Sequence, residues 1–294
     1  MVEICEVGPR DGLQNEAVTL SVSDRVQLIN RLVEAGITKV EAVSFVNPKV
    51  VVQMAEPEEV MRQLNQAVGV RFAGLVLSAK GMERAMESDV DDIHLVLAAS
   101  TAFNLKNARR TTDESLGELV PLVERAKTGH RGVTAVIGTA FGCPFEGKVS
   151  EEVVFYAAKR FLDAGADAIT LADTTGMANP GQVRNMVEAF VEQFPDVPLG
   201  LHFHNTRGLG AANVYAGYLA GVRRFDASIG GLGGCPFAPL SVGNVCTEDV
   251  VHMFEQMGVD TGLNLDGLLA AARFAQEKVQ HPVDSYVLRA GPVP

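Results

Sequence analysis

Residues 23–45 decide the fold, and they read S-D-R-V-Q-L-I-N-R-L-V-E-A-G-I-T-K-V-E-A-V-S-F. Apolar residues recur through positions 26–33 at a helical period, so this half predicts an amphipathic helix with one buried stripe. Ala35-Gly36 then provides the glycine that a left-handed helix end favours. Residues 39–45 form a mostly apolar run, which is typical of a strand covered on both faces. The stretch therefore predicts a helix that leads back into a buried parallel strand.

The same succession of a helix, an Ala-Gly helix end and a strand recurs, with the helix ends at residues 163–165 and 219–221. Strand-like apolar runs occupy residues 2–7, 39–45, 70–77, 92–97, 133–139, 168–172, 199–204 and 224–229. Helical periods occupy residues 23–35, 56–66, 113–127, 150–164, 180–193, 209–220 and 247–257. Eight parallel strands alternating with helices close a barrel of about 250 residues. We therefore predict one α/β domain over residues 1–294, a (β/α)8 TIM barrel with an extra C-terminal helix after residue 258.

A doubly wound open sheet is the alternative architecture. The dinucleotide-binding form of that fold carries G-x-G-x-x-G after its first strand, whereas residues 8–12 here read G-P-R-D-G. The closed barrel is therefore preferred.

The composition of the chain indicates its expected binding partners and cellular compartment. The chain has 294 residues, 47% of them hydrophobic, and a formal net charge of −11, which disfavours nucleic acid as a partner. Its four cysteines are scattered without C-x-x-C spacing, so reduced thiols in a cytoplasmic protein are expected. The first residues show no leader pattern and no apolar run is long enough to span a bilayer, so no membrane association is expected.

Polar residues at strand ends mark the expected site, because barrel enzymes build their sites at the carboxyl ends of the strands. Arg10-Asp11 follows the first strand, and His202 and His204 end the seventh. Alternation along a strand puts both histidines on one side. Two inward imidazoles with a carboxylate in reach favour a divalent-metal site over structural histidines.

Further polar residues stand at other strand ends. Glu41 and Ser44 end the second strand, and an inward Glu41 needs a partner such as Arg10. Asp173 ends the sixth strand and could equally cap the turn that follows it. Residues 230–237 read G-G-L-G-G-C-P-F, which is either a phosphate-binding turn or a closing loop whose thiol, Cys235, delivers a proton.

These segments together resemble the hydroxymethylglutaryl-CoA lyase family of metal-dependent TIM barrels. The matching segments are E-V-G-P-R-D-G-L-Q-N-E at 6–16, E-A-V-S-F-V-N-P-K at 41–49, H-F-H at 202–204, G-G-L-G-G-C-P-F at 230–237 and G-N-V-C-T-E-D at 243–249. They span nearly the whole chain in the family's order. The resemblance implies cleavage of 3-hydroxy-3-methylglutaryl-CoA to acetyl-CoA and acetoacetate with Mg2+ or Mn2+, and a homodimer.

The resemblance also implies roles for individual residues. The implied metal ligands are Asp11, His202, His204 and Asn244. The implied catalytic residues are Arg10, which would stabilise the enolate, with Glu41, Asp173, Gln14 and Cys235. Apart from the resemblance, position predicts substrate contacts at Arg10, Ser44, Arg207 and Asn104. Asn104, with Lys106 and Asn107 after the fourth strand, is a candidate for binding coenzyme A.

The segment after the seventh strand departs from the family pattern at two positions, and one of them bears on the substrate. Residues 202–208 read H-F-H-N-T-R-G where the family commonly has H-x-H-D-T-Y-G. Arg207 in place of tyrosine could bind a differently placed carboxylate, as in citramalyl-CoA or a longer-branched glutaryl-CoA. A Claisen condensing synthase is a further alternative, although those enzymes typically carry an additional C-terminal domain. A non-catalytic binding barrel would leave the polar residues at the strand ends without a role.

Overall fold

Eight parallel strands close into a barrel in sequence order, and β8 pairs with β1. The computed structural model describes residues 1–65, 67–234 and 243–293. The strands are β1 (Glu3–Glu6), β2 (Lys39–Ser44), β3 (Arg71–Val76), β4 (Asp92–Ala98), β5 (Gly132–Gly138), β6 (Ala168–Asp173), β7 (Leu199–Phe203) and β8 (Arg224–Ala227). The predicted (β/α)8 TIM barrel is confirmed.

Helices lie between successive strands and follow the last one. They are α1 (Val22–Glu34), α2 (Pro57–Gln63), α3 (Ala79–Met86), α4 (Thr101–Ala108), α5 (Thr112–Thr128), α6 (Glu151–Asp163), α7 (Pro180–Gln193), α8 (Gly210–Leu219), α9 (Thr247–Gln256), α10 (Leu265–Val279) and α11 (Tyr286–Ala290). The extra C-terminal helix predicted from the sequence is present as α10, with α11 after it. The short helices α3 and α4 were not predicted from the sequence.

The glycines that end α1, α6 and α8 have the backbone conformation that the sequence predicted. Gly36, Gly165 and Gly221 have φ angles of +100°, +98° and +105°. Residues with a side chain rarely adopt such angles. Glycine therefore ends each of these helices and turns the chain toward the next strand.

A bulge in β2 determines which of its polar residues face the barrel interior. Glu41 pairs with Ala73 of β3 and Ser44 pairs with Leu75, and the register shifts between Glu41 and Val43. Residues paired across neighbouring strands point to the same face. The extra residue therefore lets both Glu41 and Ser44 face inward although they are three positions apart.

Glu6, at the end of β1, is a buried carboxyl that joins three segments. It accepts hydrogen bonds from the Gly8 N–H (2.7 Å), the Ile229 N–H (2.9 Å) and the Thr247 hydroxyl (2.6 Å). Burial raises the pKa of Glu6 to about 8, in spite of these bonds. The group is therefore protonated in the folded protein at neutral pH, whereas it is ionised in the unfolded chain.

This difference predicts a pH-dependent stability. The folded protein holds the Glu6 proton between pH 4.5 and about 8 while the unfolded chain has lost it, so this contribution falls as pH rises through that window. Glu6→Gln keeps the hydrogen bonds of the protonated acid without titrating. We expect urea unfolding to show a loss on the order of a few kcal/mol between pH 5 and 8.5 that is absent in the variant. Exposed Glu188→Gln is the control, and parallel profiles for wild type and Glu6→Gln would contradict the prediction.

Candidate active site and metal centre

Asp11, His202 and His204 meet at the carboxyl-terminal end of the barrel. One potential ligand atom from each lies within 4.8 Å of those of the other two. His202 is in β7 and His204 directly follows it, so both rings project the same way, with centroids 5.2 Å apart. Asp11 lies in the short helical turn Gly8–Gly12 after β1. The structure thus brings together three residues that the sequence placed at two different strand ends.

Asn244 joins this group from the segment before α9. Its Nδ2 donates to Asp11 Oδ2 (2.8 Å) and to the Leu232 carbonyl (3.1 Å), and its backbone bridges His204. Its Oδ1 is buried and has no hydrogen-bond partner among the described residues. A Cβ at Gly233, where φ is +127°, would lie 2.5 Å from Asn244 Nδ2, so glycine is required there. An amide oxygen without a partner beside a carboxylate is a further donor that fits a cation.

The charge states of Asp11 and His204 suit a metal ion. Burial would lower the pKa of His202, but Asp226 and Asp11 raise it above its usual value. Burial would raise the pKa of Asp11, but Arg10 and the two histidines hold that pKa well below its usual value. Burial and the proximity of His202 lower the pKa of His204 to about 4, so its ring is neutral at pH 7. His202 Nδ1 lies 3.3 Å from Asp226 Oδ2, which orients the ring and leaves Nε2 available.

Arg10 lies beside the group and is held by two carboxylates. Its Nε donates to Glu41 Oε2 (2.6 Å) and its Nη1 to Asp11 Oδ1 (2.7 Å), and Nη2 also contacts Glu41 Oε2. A guanidinium has five N–H groups. Three of these are used by the two carboxylates, so one N–H on each terminal nitrogen is left for a ligand. The partnership of Arg10 with Glu41 expected from the sequence is present.

His94, in β4, extends this chain of contacts and was missed in the sequence. Its Nδ1 lies 2.8 Å from Glu41 Oε1, and its buried Nε2 has no partner among the described residues. Arg10 and His94 lower the pKa of Glu41 to about 2 against the effect of burial, so the carboxylate accepts and His94 Nδ1 donates. His94 in β4 and Asp226 in β8 could have been identified from the sequence, because each is a polar residue in the middle of a strand.

Asp173 has the turn-capping role that the sequence left open. Its carboxylate accepts from the Met177 N–H (2.7 Å) and the Ala178 N–H (3.0 Å). Burial raises the pKa of Asp173, and these two hydrogen bonds, followed by the charges of His202 and Arg207, partly oppose this. The side chain fixes the loop after β6 at the edge of the site, and its catalytic role stays a prediction.

Asn104, predicted to contact coenzyme A, is buried and bonded within its own segment. The side chain is 1% exposed. Its Nδ2 donates to the carbonyls of Arg110 and Thr111 and to the Ser115 hydroxyl, and its Oδ1 accepts from the Ala98 N–H. Asn104 therefore holds the segment between α4 and α5 against β4, and its contact with coenzyme A stays a prediction.

The other predicted residues have varied surroundings. Ser44 is buried, and its hydroxyl has no partner in the described part of the chain. Gln14 is half-buried just after the turn that carries Arg10 and Asp11. Arg207 is exposed, and its Nη1 donates to the carbonyls of Thr175 (2.9 Å) and Gly176 (2.8 Å). Cys235 lies outside the described residues.

The fold and the site define a (β/α)8 enzyme with a candidate metal centre at the carboxyl ends of its strands. A family model described as HMGL-like matches residues 1–275, and the chain belongs to this family. It is a carbon–carbon lyase.

Relatives cover nearly the full length of the chain. It is 44% identical to (R)-citramalyl-CoA lyase of Chloroflexus aurantiacus, over 99% of this chain and 95% of that protein. It is 40% identical to a hydroxymethylglutaryl-CoA lyase of Bacillus subtilis, over 97% of this chain and 95% of that protein. An HMG-CoA lyase from Acinetobacter baumannii, solved with coenzyme A and 3-methylmalate, superposes with a TM-score of 0.95 at 42% identity, covering 100% of this chain and 98% of the other.

No helix within the described residues is both long enough and apolar enough to cross a membrane.

Proposed function

We propose that the protein cleaves 3-hydroxy-3-methylglutaryl-CoA to acetyl-CoA and acetoacetate. The observation that carries the proposal is the convergence of Asp11, His202 and His204 beside Arg10. Breaking the bond between C2 and C3 requires loss of the tertiary hydroxyl proton and stabilisation of the thioester enolate. The site presents a group that suits a cation for the first requirement and a guanidinium for the second. The lyases of Bacillus and Acinetobacter support this choice of substrate.

Asp11, His202, His204 and Asn244 would hold Mg2+ or Mn2+. An ionised carboxylate, two imidazoles and the amide oxygen without a partner form a donor set for such a cation. A divalent ion bound there would lower the pKa of the substrate hydroxyl. Asp226 would keep His202 in the orientation that presents Nε2.

Arg10 would donate its two remaining N–H groups to the developing enolate oxygen. Because its partners Glu41 and Asp11 fix the guanidinium before substrate arrives, this stabilisation requires little reorganisation. The glycine-rich segment with Cys235 would close over the site, exclude water and supply the proton that converts the enolate to acetyl-CoA. Gln14 and Ser44 would make polar contacts with the substrate.

Citramalyl-CoA is a second candidate substrate. A specific comparison favours it: the 44% identity with the (R)-citramalyl-CoA lyase of Chloroflexus. In that thioester the carboxylate is attached directly to the carbon that bears the hydroxyl, so the same cleavage gives pyruvate. Arg207 is exposed beside the loop after β6 and would be the cation for this carboxylate.

A panel of acyl-CoA thioesters distinguishes the two substrates. We expect kcat/KM for 3-hydroxy-3-methylglutaryl-CoA to exceed that for citramalyl-CoA at least about tenfold, a difference of about 1.4 kcal/mol in transition-state binding. Acetoacetate and pyruvate are measured together with acetyl-CoA. If pyruvate is released faster than acetoacetate, citramalyl-CoA is the preferred substrate. Arg207→Tyr should then abolish the preference for citramalyl-CoA. Release of no keto acid from any thioester would overturn the proposal.

His94 is expected to position Arg10 through Glu41. His94→Leu removes the Nδ1 donor, so Glu41 loses one of its two partners and Arg10 is less well fixed. We expect kcat to fall about tenfold with little change in KM or in metal affinity. His94→Asn, which keeps a donor near the Nδ1 position, should restore most of the loss. His252→Leu on α9 is the control, and a loss with His94→Leu that follows thermal stability alone would contradict the positioning role.

A further inference from the structure

A cavity of about 660 Å³ opens at the amino-terminal ends of the strands, opposite the candidate metal centre. We call it the lower cavity. Its walls include the first residues of seven strands, and five of these are charged: Glu3, Lys39, Arg71, Asp92 and Arg224. The strands are four to seven residues long, so the two ends of the barrel are roughly 15–20 Å apart. The lower cavity is therefore separate from the site proposed for cleavage.

The lower cavity is positively charged in a negatively charged protein. Its lining adds Lys127, Arg131 and Asp167 to the residues above, so the basic side chains outnumber the carboxylates by five to three. The whole chain has a formal net charge of −11. A local excess of cations in a cleft attracts anions whatever the net charge of the chain.

Each carboxylate of the lower cavity already has a basic partner. Arg71 Nη2 lies 2.6 Å from Asp92 Oδ1, and Arg224 Nε lies 2.9 Å from Glu3 Oε1. Lys127 Nζ lies 2.6 Å from Asp167 Oδ1. Three ion pairs therefore use all three acids of the lining.

Lys39 and Arg131 supply the excess charge. Neither lies within 4.0 Å of a carboxylate in residues 1–65, 67–234 and 243–293, although Lys39 contributes to lowering the pKa of Asp92. Arg131 donates from Nη2 to the Ser88 carbonyl (2.9 Å), which leaves its charge without a counterion. Both side chains are half-buried, so water screens them less than it screens surface lysines.

We propose that the lower cavity binds a multivalent anion, a phosphate or pyrophosphate group of a small molecule, between Lys39 and Arg131. Its volume lies within the range of about 300–1,000 Å³ typical of small-molecule sites. Two cations without counterions in the lining of one cavity favour a ligand with at least two negative charges over chloride. Phosphates and dicarboxylates share this chemistry, and the experiment separates them.

Isothermal titration of the full chain with pyrophosphate, phosphate and malonate, at equal ionic strength, tests the proposal. The protein is kept metal-free, so that chelation at the candidate metal centre contributes no heat. We expect saturable binding of pyrophosphate with a Kd of about 1 mM or below, and weaker binding of malonate.

Lys39→Met/Arg131→Met is expected to weaken pyrophosphate binding at least tenfold. Lys159→Met/Arg184→Met removes the same charge from exposed positions on α6 and α7, and should change the Kd less than twofold. Lys39→Met alone preserves the bond between Arg131 and Ser88, so it tests the site if the double variant does not fold.

Two outcomes would overturn the proposal. These are the absence of saturable binding up to about 10 mM and equal weakening in both double variants. Malonate binding as tightly as pyrophosphate would overturn the assignment to phosphate groups.

Discussion

Removal of divalent metal is expected to abolish cleavage. Exhaustive dialysis against EDTA should reduce acetyl-CoA release below about 1% of its starting rate, and Mg2+ or Mn2+ should restore it. The physical reason is that Asp11, His202 and His204 offer their ligand atoms within 4.8 Å of one another, and no side chain among them can replace a cation on the substrate hydroxyl. The measurement is the steady-state rate before dialysis, after it and after each metal is added.

Asp11→Asn tests the same site by substitution. The change removes the carboxylate charge but keeps the size of the side chain, so we expect Mn2+ affinity to fall about 100-fold or more. Asp226→Asn should weaken Mn2+ binding by about 10–100-fold, because Asp226 only orients the ligand His202. Exposed Asp163→Asn is the matched control. Activity that survives complete chelation would remove the metal from the proposal.

Arg10→Met is expected to lower kcat by about a thousandfold or more without lowering metal affinity. A single donor aimed at a developing oxyanion contributes about 10²–10³ in rate, and Arg10 offers two N–H groups and a full charge. The measurement combines kcat from saturating substrate with Mn2+ binding by calorimetry. A loss smaller than about tenfold would assign Arg10 to structure.

The loss of Arg10 also leaves Glu41 buried without its cation, and this effect has to be separated from catalysis. An uncompensated buried charge costs about 3–5 kcal/mol, and Glu41 is 1% exposed. Arg10→Met/Glu41→Gln removes that charge, so we expect it to regain unfolding free energy but no activity. If the double variant recovered turnover together with stability, the kinetic defect of Arg10→Met would be a folding defect.

Local pattern predicted the barrel and much of the candidate site. The helical period, the Ala-Gly helix ends and the apolar runs predicted eight βα units, and the structure confirms them. Alternation along residues 202–204 was enough to place His202 and His204 on one side of β7. The roles of these residues stay predictions, because metal binding and turnover are what test them.

The sequence could not show where side chains already have partners. Asn104 was expected to contact substrate, and the structure shows that its amide bonds within the segment after β4, while the contact itself stays a prediction. His94 was overlooked, since its partner Glu41 is 53 residues away and belongs to a different strand. Hydrogen-bond partners of this kind depend on register between strands, which no local pattern records.

The sequence by itself determined the order of strands and helices, the helix ends and the residues at each strand end, because these follow from periodicities within about twenty neighbouring residues. Only the tertiary structure decided that Asp11 and His204, 193 positions apart, face the same point, because closure of β8 against β1 brings the ends of the chain together. The lower cavity likewise exists only in three dimensions, since its charges come from residues that start different strands.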